Sequence, residues 1–183
     1  MYEDSIRRIK AGDIGGLEHL VVHYQERALQ IATMVTGDPS QAQDVVQDAF
    51  IRAYEQAGHF DLARQFGPWF FKIVANLGVR AASRTRQVVS LDAEDEGLVL
   101  PDPDGDLERL SEKIETEADI RRALNALPPE QRAVFVLHYL GDLKEAEIAR
   151  ELNRPPGTIK WRLFRARERL QVLLSHLSSK ARL

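Results

Sequence analysis

Cysteine is absent from this 183-residue chain, so disulfides, thiolate metal sites and thiol nucleophiles are all excluded. Long apolar runs are missing as well. The most apolar stretch, WFFKIVANLGV, has 11 residues and contains Lys72, which makes it too short and too charged to cross a bilayer. The N-terminal MYEDSIRRIK lacks the apolar segment of a signal peptide. We therefore expect a soluble, cytoplasmic protein without membrane contacts of its own.

The residue patterns of common catalytic sites are also missing. His19 and His23 in HLVVH have the spacing of a zinc-protease helix, but Leu20 stands where such a helix carries glutamate. Asp44 and Asp48 share a helix face without a positioned histidine, a glycine-rich phosphate loop or a nucleophile elbow nearby. We expect no enzyme activity, no cofactor and no metal site.

Charge is distributed unevenly along the chain. Residues 1–86 hold 10 basic and 10 acidic side chains, residues 87–116 hold 2 and 10, and residues 117–183 hold 13 and 8. The middle segment includes SLDAEDEGLVLPDPDGDLE, in which prolines, glycines and acids replace the large apolar residues needed for a core. This pattern predicts two small domains, residues 1–86 and 117–183, joined by a flexible acidic linker.

Apolar residues recur every three or four positions and strict alternation is nearly absent, which predicts an all-α fold. Residues 14–36 and the segment that starts at FGPWFF each read as an amphipathic helix. Residues 39–57 form another, with Asp38 as its cap and Pro39 in its first turn. We expect these helices to form a bundle. The apolar stripe of residues 39–57 comprises Ala42, Val45, Val46, Ala49, Phe50, Ala53, Tyr54 and Ala57.

The C-terminal domain has the pattern of a helix-turn-helix. One helix is expected to end near Gly141. Asp142 and Glu145 form a possible capping box for a short helix through Leu152, which Asn153 can close. The sequence RPPGT then turns the chain into a last long helix. In this motif the second helix enters the major groove of DNA.

The last helix contains RPPGTIKWRLFRARERL, residues 154–170, with a basic residue at almost every second position. Its apolar stripe is expected to face the domain core, with Trp161 on the opposite face and arginines on the flanks. Such arginines can meet phosphates while the central residues meet base edges. The alternative is a merely solvated basic helix. The stripe comprises Ile159, Leu163, Ala166 and Leu170.

Two blocks of sequence resemble one protein family. ALNALPPEQRAVFVLHYLGDLKEAEIARELNRPPGTIKWRLFRARERL resembles region 4 of extracytoplasmic-function (group IV) sigma factors, the small alternative sigma subunits of bacterial RNA polymerase. AQDVVQDAFIRAYEQAGHFD, followed by FGPWFFKIVANLGVRAASRTR, is similar to their region 2. The resemblance implies a protein that binds bacterial core RNA polymerase and promoter DNA and directs promoter-specific transcription initiation.

The resemblance also implies binding residues in region 2. The helix matching residues 40–56 docks on the polymerase, and Ile51 among acids suits a hydrophobic contact with a polar rim. The family reads and melts the −10 promoter element with the following loop and helix, where bases can stack on aromatics and arginines can hold the backbone. The polymerase-binding residues are Asp44, Gln47, Asp48, Ile51 and Glu55. The −10 residues are Arg52, Phe60, Asn76, Arg80 and Arg84.

In region 4 the resemblance assigns recognition of the −35 element to the helix that starts near Gly157. Trp161 stands where a small polar residue is common, and Arg80 of region 2 stands where many members carry an acid or an amide. The linker is unusually acidic for the family, whose members are often held inactive by an anti-sigma factor. The −35 residues are Thr158, Lys160, Trp161, Arg162, Arg165 and Arg167.

Two other interpretations remain open at this point. A freestanding helix-turn-helix regulator would bind duplex DNA alone, as a dimer on spaced half-sites. The sequence offers no obvious dimerisation helix. The linker would instead hold two DNA-reading domains of one chain apart. A module with the shape of a sigma factor but without promoter activity is the other possibility, suggested by Trp161 and Arg80.

Overall fold

The computed structural model describes residues 2–87 and 117–180, with side chains for residues 2–84 and 118–174. All regular secondary structure in these ranges is helical, so the predicted all-α fold is confirmed. Apart from Gln87, the predicted acidic linker lies outside the described residues. The N-terminal group comprises α1 (Tyr2–Lys10), α2 (Gly15–Thr36), α3 (Pro39–Gln56), a 3-10 turn (Ala57–His59) and α4 (Phe66–Gln87). The C-terminal group comprises α5 (Glu117–Ala126), α6 (Pro129–Tyr139), α7 (Glu145–Leu152) and α8 (Pro156–Lys180).

The boundary between α2 and α3 follows the local sequence closely. Gly37 ends α2 in the left-handed conformation, at φ +79°, and its N–H donates to the Thr33 carbonyl at 2.9 Å. The Asp38 carboxylate accepts the backbone N–H of Ser40 at 2.8 Å, and Pro39 occupies the first helical position. The predicted cap and first turn of α3 are therefore confirmed.

Helix α1 was not predicted from the sequence. It has nine residues, of which Ile6 and Ile9 are buried and pack against the N-terminal group. The two helices α1 and α2 approach closely at Gly16, where an added Cβ would lie 2.4 Å from the Ser5 carbonyl oxygen. A short helix with two apolar residues among many charges leaves almost no periodic signal, which explains the omission.

The core of the N-terminal group is aromatic. Phe66 and Phe70 stack with ring centroids 5.4 Å apart, and Phe50 of α3 lies 4.6 Å from Phe70. Trp69 and Phe71 are buried with them. The predicted stripe of α3 is buried, except that Tyr54 is half-buried.

The start of α7 differs from the prediction. Asp142 lies in the preceding turn at φ +57°, and Lys144 is the residue that precedes the helix. The Glu147 carboxylate accepts the backbone N–H of Lys144 at 2.8 Å. The capping box from Asp142 and Glu145 is therefore wrong, because the turn that leaves α6 occupies two more residues than expected. Asn153 ends α7 at φ +50°, as predicted.

The two helical groups pack directly against one another. Helix α6 contacts both α2 and α4, α7 contacts α4, and α5 contacts α2. Val134 and Leu137 of α6 belong to the same apolar cluster as Phe70 of α4. The Arg27 guanidinium of α2 donates to the Leu140 carbonyl at 2.9 Å across this boundary. The sequence predicted that the linker would hold the two DNA-reading domains apart. In this arrangement the two domains are in contact instead.

Candidate nucleic-acid and polymerase interfaces

Helix α8 follows the tight turn after α7 and has two distinct faces. Its predicted apolar stripe is buried against α6, α7 and α5, since all four residues are at most 3% exposed. Lys160 and Glu168 are exposed on the other side, and Trp161 and Arg165 are half-buried there. Thr158, near the start of the helix, is also half-buried. The predicted division of this helix into a core face and a presented face is confirmed.

Three arginines on the flanks of α8 contact α6. Only 12% of the Arg162 side chain is exposed where it pairs with Glu130. Arg167 and Arg169 are half-buried and make the other two pairs. These pairs are Arg167 Nε to the Tyr139 hydroxyl at 2.8 Å, with its Cζ 5.7 Å from that ring's centroid, and Arg169 Nη1 to Gln131 Oε1 at 3.1 Å. Part of the positive charge of α8 thus holds the helix in place.

Other basic side chains extend the positive surface beyond α8. Arg150 of α7 and Arg154 of the turn are exposed, as is Lys160 of α8. Arg150 lies outside the basic stretch of residues 154–170 that the sequence singled out. The Arg165 guanidinium bonds Glu168 at 2.5 Å, so its charge is partly neutralised by a residue of the same face.

The exposed face of α3 carries all five residues expected to bind polymerase, Asp44, Gln47, Asp48, Ile51 and Glu55. Ile51 is 48% exposed and lies at the edge of a groove of about 820 Å³ between α2 and α3. This α2/α3 groove is not evident from the sequence, because each helix alone shows only isolated outward apolar residues. The groove is lined by Leu17, Val21, Gln25, Glu26, Leu29, Gln43, Val46, Gln47, Phe50 and Ile51.

Four of the five residues expected to read the −10 element are exposed. Asn76, Arg80 and Arg84 follow one another at four-residue spacing on α4, so they form one line along that helix. Arg52 is exposed on α3. Phe60 is different, since it is only 3% exposed and its ring is enclosed by aromatic neighbours of the core. A base could stack on Phe60 only after the α3–α4 connection had rearranged.

The α3–α4 connection, residues 57–65, is held from two directions. The Lys10 ammonium of α1 donates to the Phe60 carbonyl at 2.9 Å, and the Tyr2 hydroxyl lies 3.4 Å from the Arg64 carbonyl. The Arg64 guanidinium pairs with Glu151 of α7, in the C-terminal group. Both helical groups therefore position this connection.

The described residues show neither a metal-ligand cluster nor a membrane-spanning helix. Residues 2–87 and 117–180 contain no group of three or more metal-ligating side chains. His19 and His23 are exposed and their rings stack with centroids 6.4 Å apart, without a third ligand in that part of the chain. None of the described helices combines the length and the apolar character needed to span a bilayer.

Comparisons with known proteins match both parts of the chain. Residues 20–88 match the family model of sigma-70 region 2, and residues 117–170 match that of sigma-70 region 4. The ECF RNA polymerase sigma factor SigW of Bacillus subtilis is 34% identical, over 97% of this chain and 98% of SigW. The chain belongs to the extracytoplasmic-function sigma factors.

Two solved structures of similar proteins share the fold of this sigma factor. CnrH, solved in complex with the cytosolic domain of CnrY, aligns over 95% of this chain and 97% of CnrH, with a TM-score of 0.68 at 24% identity. The sigma factor RpoE of Bartonella quintana, solved with the anti-sigma factor NepR, aligns over 86% of this chain and 96% of RpoE. Its TM-score is 0.63 at 25% identity.

As a member of this family, the protein is an alternative sigma factor, which binds RNA polymerase and directs the initiation of transcription at promoters. The family match removes the freestanding regulator as an interpretation. Sigma factors are transcription regulators rather than enzymes, in agreement with the expectation from the sequence.

Replacing Phe60 by alanine tests whether its ring belongs to the core. The ring centroid lies 5.8 Å from that of Phe66 and 4.8 Å from that of Trp69. We expect Phe60→Ala to lower the free energy of unfolding by about 3–5 kcal/mol, measured by urea denaturation. Phe60→Leu, which keeps most of the apolar volume, serves as the control and should cost clearly less. An unchanged stability for Phe60→Ala would contradict the buried position.

Proposed function

We propose a division of labour along the sigma factor that follows its two helical groups. Residues 1–86 act as region 2, residues 87–116 as the linker and residues 117–183 as region 4. Region 2 binds core RNA polymerase and reads and melts the −10 element, and region 4 reads the −35 element. The protein acts in the cytoplasm, where bacterial polymerase works. The single observation that carries this proposal is that α3 and α8 each bury their apolar stripe and present the polar face expected of a binding surface.

The exposed face of α3 and the α2/α3 groove are proposed to form one polymerase-binding surface. Ile51 belongs to both, so the acidic face and the apolar groove are continuous. A partner helix with apolar and basic residues would bury its apolar side chains in the groove and pair its charges with Asp44 and Asp48. Hydrophobic contacts surrounded by polar residues are the usual anatomy of such interfaces.

The line of Asn76, Arg80 and Arg84 on α4, with Arg52 on α3, is proposed to hold the displaced strand at the −10 element. The arginines neutralise phosphates, and the Asn76 amide can both donate to and accept from the edge of an unstacked base. Phe60 supports the α3–α4 connection from within the core. Melting needs no nucleotide hydrolysis, because captured bases offset the cost of unstacking.

Region 4 is proposed to place the start of α8 in the major groove at the −35 element. Lys160, Trp161 and Arg165 face outward near the N-terminal part of the helix, where base edges are read. The Trp161 ring can contact thymine methyl groups. Arg150 and Arg154 are placed to neutralise phosphates beside the helix. Thr158, Arg162 and Arg167 of α8 are proposed to complete the set of −35-binding residues.

Simultaneous reading of both elements requires the two groups to separate. Elements named −35 and −10 are about 25 base pairs apart, which is about 85 Å at about 3.4 Å per base pair. Two groups that share an apolar core cannot cover that distance. The 30 residues of the 87–116 segment reach at most about 100 Å when fully extended, which is sufficient. The packed arrangement is therefore proposed to be a closed form that opens on polymerase.

An anti-sigma factor is a further proposed partner. The RpoE relative was solved in complex with the anti-sigma factor NepR. The α2/α3 groove is the apolar surface of region 2 that such a protein could cover, in competition with polymerase. The acidic linker is proposed to imitate nucleic acid near the polymerase active-site channel.

Run-off transcription with bacterial core polymerase on a library of promoter fragments tests the proposal. We expect specific transcripts that require the sigma factor, together with weak DNA binding by the sigma factor alone. Tight, sequence-specific binding by the chain alone without new transcripts would contradict it. If the transcribed fragments share two short sequences upstream of the start site, these sequences are the −35 and −10 elements.

Replacing Ile51 by aspartate tests the polymerase-binding surface. We expect Ile51→Asp to weaken binding to core polymerase at least about tenfold, because a charge enters an apolar contact. The matched control is Ile14→Asp, another exposed isoleucine that lies outside the α2/α3 groove. Affinity is measured by fluorescence anisotropy with labelled protein. Equal effects of the two substitutions would exclude a specific role for Ile51.

Replacing Lys160 by alanine tests the −35 assignment. We expect about tenfold lower affinity of the holoenzyme for the promoter, with unchanged thermal stability, because the side chain is exposed. Arg122→Ala removes a positive charge from an exposed position on α5 and should leave promoter affinity nearly unchanged. Competition binding on fragments with altered −35 elements measures the effect. A Lys160→Ala protein with unaltered promoter affinity would rule out this contact.

A further inference from the structure

Glu151 is a buried carboxylate of the helix-turn-helix whose cationic partners come mainly from the other helical group. Its side chain is 2% exposed. Its Oε1 pairs with Arg64 in the α3–α4 connection, and its Oε2 lies 3.9 Å from the Lys72 ammonium of α4. The remaining neighbour, Arg150 of α7, lies 3.8 Å away with a side chain that is 63% exposed. The carboxylate thus lies between three positive charges at the boundary of the two groups.

The position of this carboxylate matters because a buried charge must be compensated. Arg64 and Lys72 supply that compensation only while α7 lies against α4, since both belong to the N-terminal group. Without the carboxylate, Arg150 would face Arg64 and Lys72 with no anion between them. Burial already lowers the pKa of the Lys72 ammonium, and the neighbouring Arg64 guanidinium lowers it further. The closed form therefore depends on the negative charge of Glu151.

The same contact constrains the α3–α4 connection. Arg64 belongs to this connection, which carries Phe60 and joins the two helices that hold the proposed −10 residues. In the closed form the Arg64 guanidinium is paired with Glu151, so a rearrangement of the connection requires this pair to break or α7 to move. The Oε2 atom of Glu151 has no hydrogen-bond partner in the described part of the chain, so burial is only partly compensated. Opening would expose this oxygen to water, which limits the free-energy cost of separating the two helical groups.

We propose that Glu151 is an autoinhibitory latch, which holds region 4 against the α3–α4 connection and α4 of region 2, through Arg64 and Lys72, until polymerase separates the two regions. This inference rests on the proposed function, in which the two regions must part to reach both promoter elements. The latch adds to the apolar contacts of α6. It makes the stability of the closed form depend on the charge at position 151. A neutral residue at position 151 favours the open form, because the three cations then repel one another.

The absence of cysteine allows a direct test by energy transfer between two dyes on engineered cysteines. Gln30→Cys on α2 and Gln171→Cys on α8 provide exposed sites. Met34 of α2 packs against the cluster that holds Leu170, so these sites lie on neighbouring stretches in the closed form. We expect Glu151→Gln to raise the equilibrium constant for opening at least about tenfold, seen as lower transfer efficiency in the free protein. Glu145→Gln, on the same helix, is the matched control and should leave transfer unchanged.

Circular dichroism establishes that each variant is folded before transfer is compared. Lower transfer for folded Glu151→Gln, but not for Glu145→Gln, supports the latch, and unchanged transfer for both overturns it. If Glu151→Gln does not fold, Arg64→Gln decides the question, because it removes the cation of the other helical group that pairs directly with Glu151 Oε1. Reduced transfer in that variant supports the latch, and wild-type transfer overturns it. Because the distance is measured in the free chain, run-off transcription by the wild type tests the proposed function separately.

Discussion

The packing of α6 against α2 and α4 is the contact on which the arrangement of the whole molecule depends. Val134 and Leu137 of α6 join the apolar cluster of the N-terminal group, while the same helix carries the pairs that hold α8. One helix therefore connects the core of the N-terminal group to α8, the helix proposed to face DNA. Because apolar contacts are non-directional, they can stabilise the closed form without specifying it, and the polar pairs at the boundary supply the specificity.

The closed form explains how one chain can have several partners without exposing all its binding surfaces equally. The α3 face, the α2/α3 groove and the start of α8 remain accessible, whereas the α3–α4 connection is held by α1 and α7. A partner that binds only the accessible surfaces can do so before opening. Reading both promoter elements requires the additional step of separation.

Local sequence predicted most of the individual helices. The Asp38 cap, the stripe of α3 and the turn at Asn153 all depend on interactions between residues close in sequence, which a pattern can reveal. Helix α1 escaped notice because its stability comes from Ile6 and Ile9 packing on α2 rather than from its own periodicity. The contact between the two groups was also missed, since residues such as Leu137 look the same whether they face their own domain or another one.

The candidate sites show the same contrast between local features, which the sequence predicted, and long-range contacts, which it did not. Helical periodicity correctly identified which face of α3 and of α8 is presented. It could not show that Arg162 is enclosed by Glu130, that Phe60 lies in the aromatic core or that α2 and α3 form a groove. Each of these features depends on residues distant in sequence. Residue types identified the chemistry available to each surface, and tertiary contacts determine which groups are free to use it.

The measurement that tests the central claim most directly is the distance between dyes on α2 and α8 when core polymerase and promoter DNA are added to the labelled protein. The account predicts one short distance in the free protein and a separation of the order of the spacing between promoter elements, about 85 Å, in the complex. A distance that stays short in a complex that initiates transcription would contradict the account, because both elements would then be served without opening.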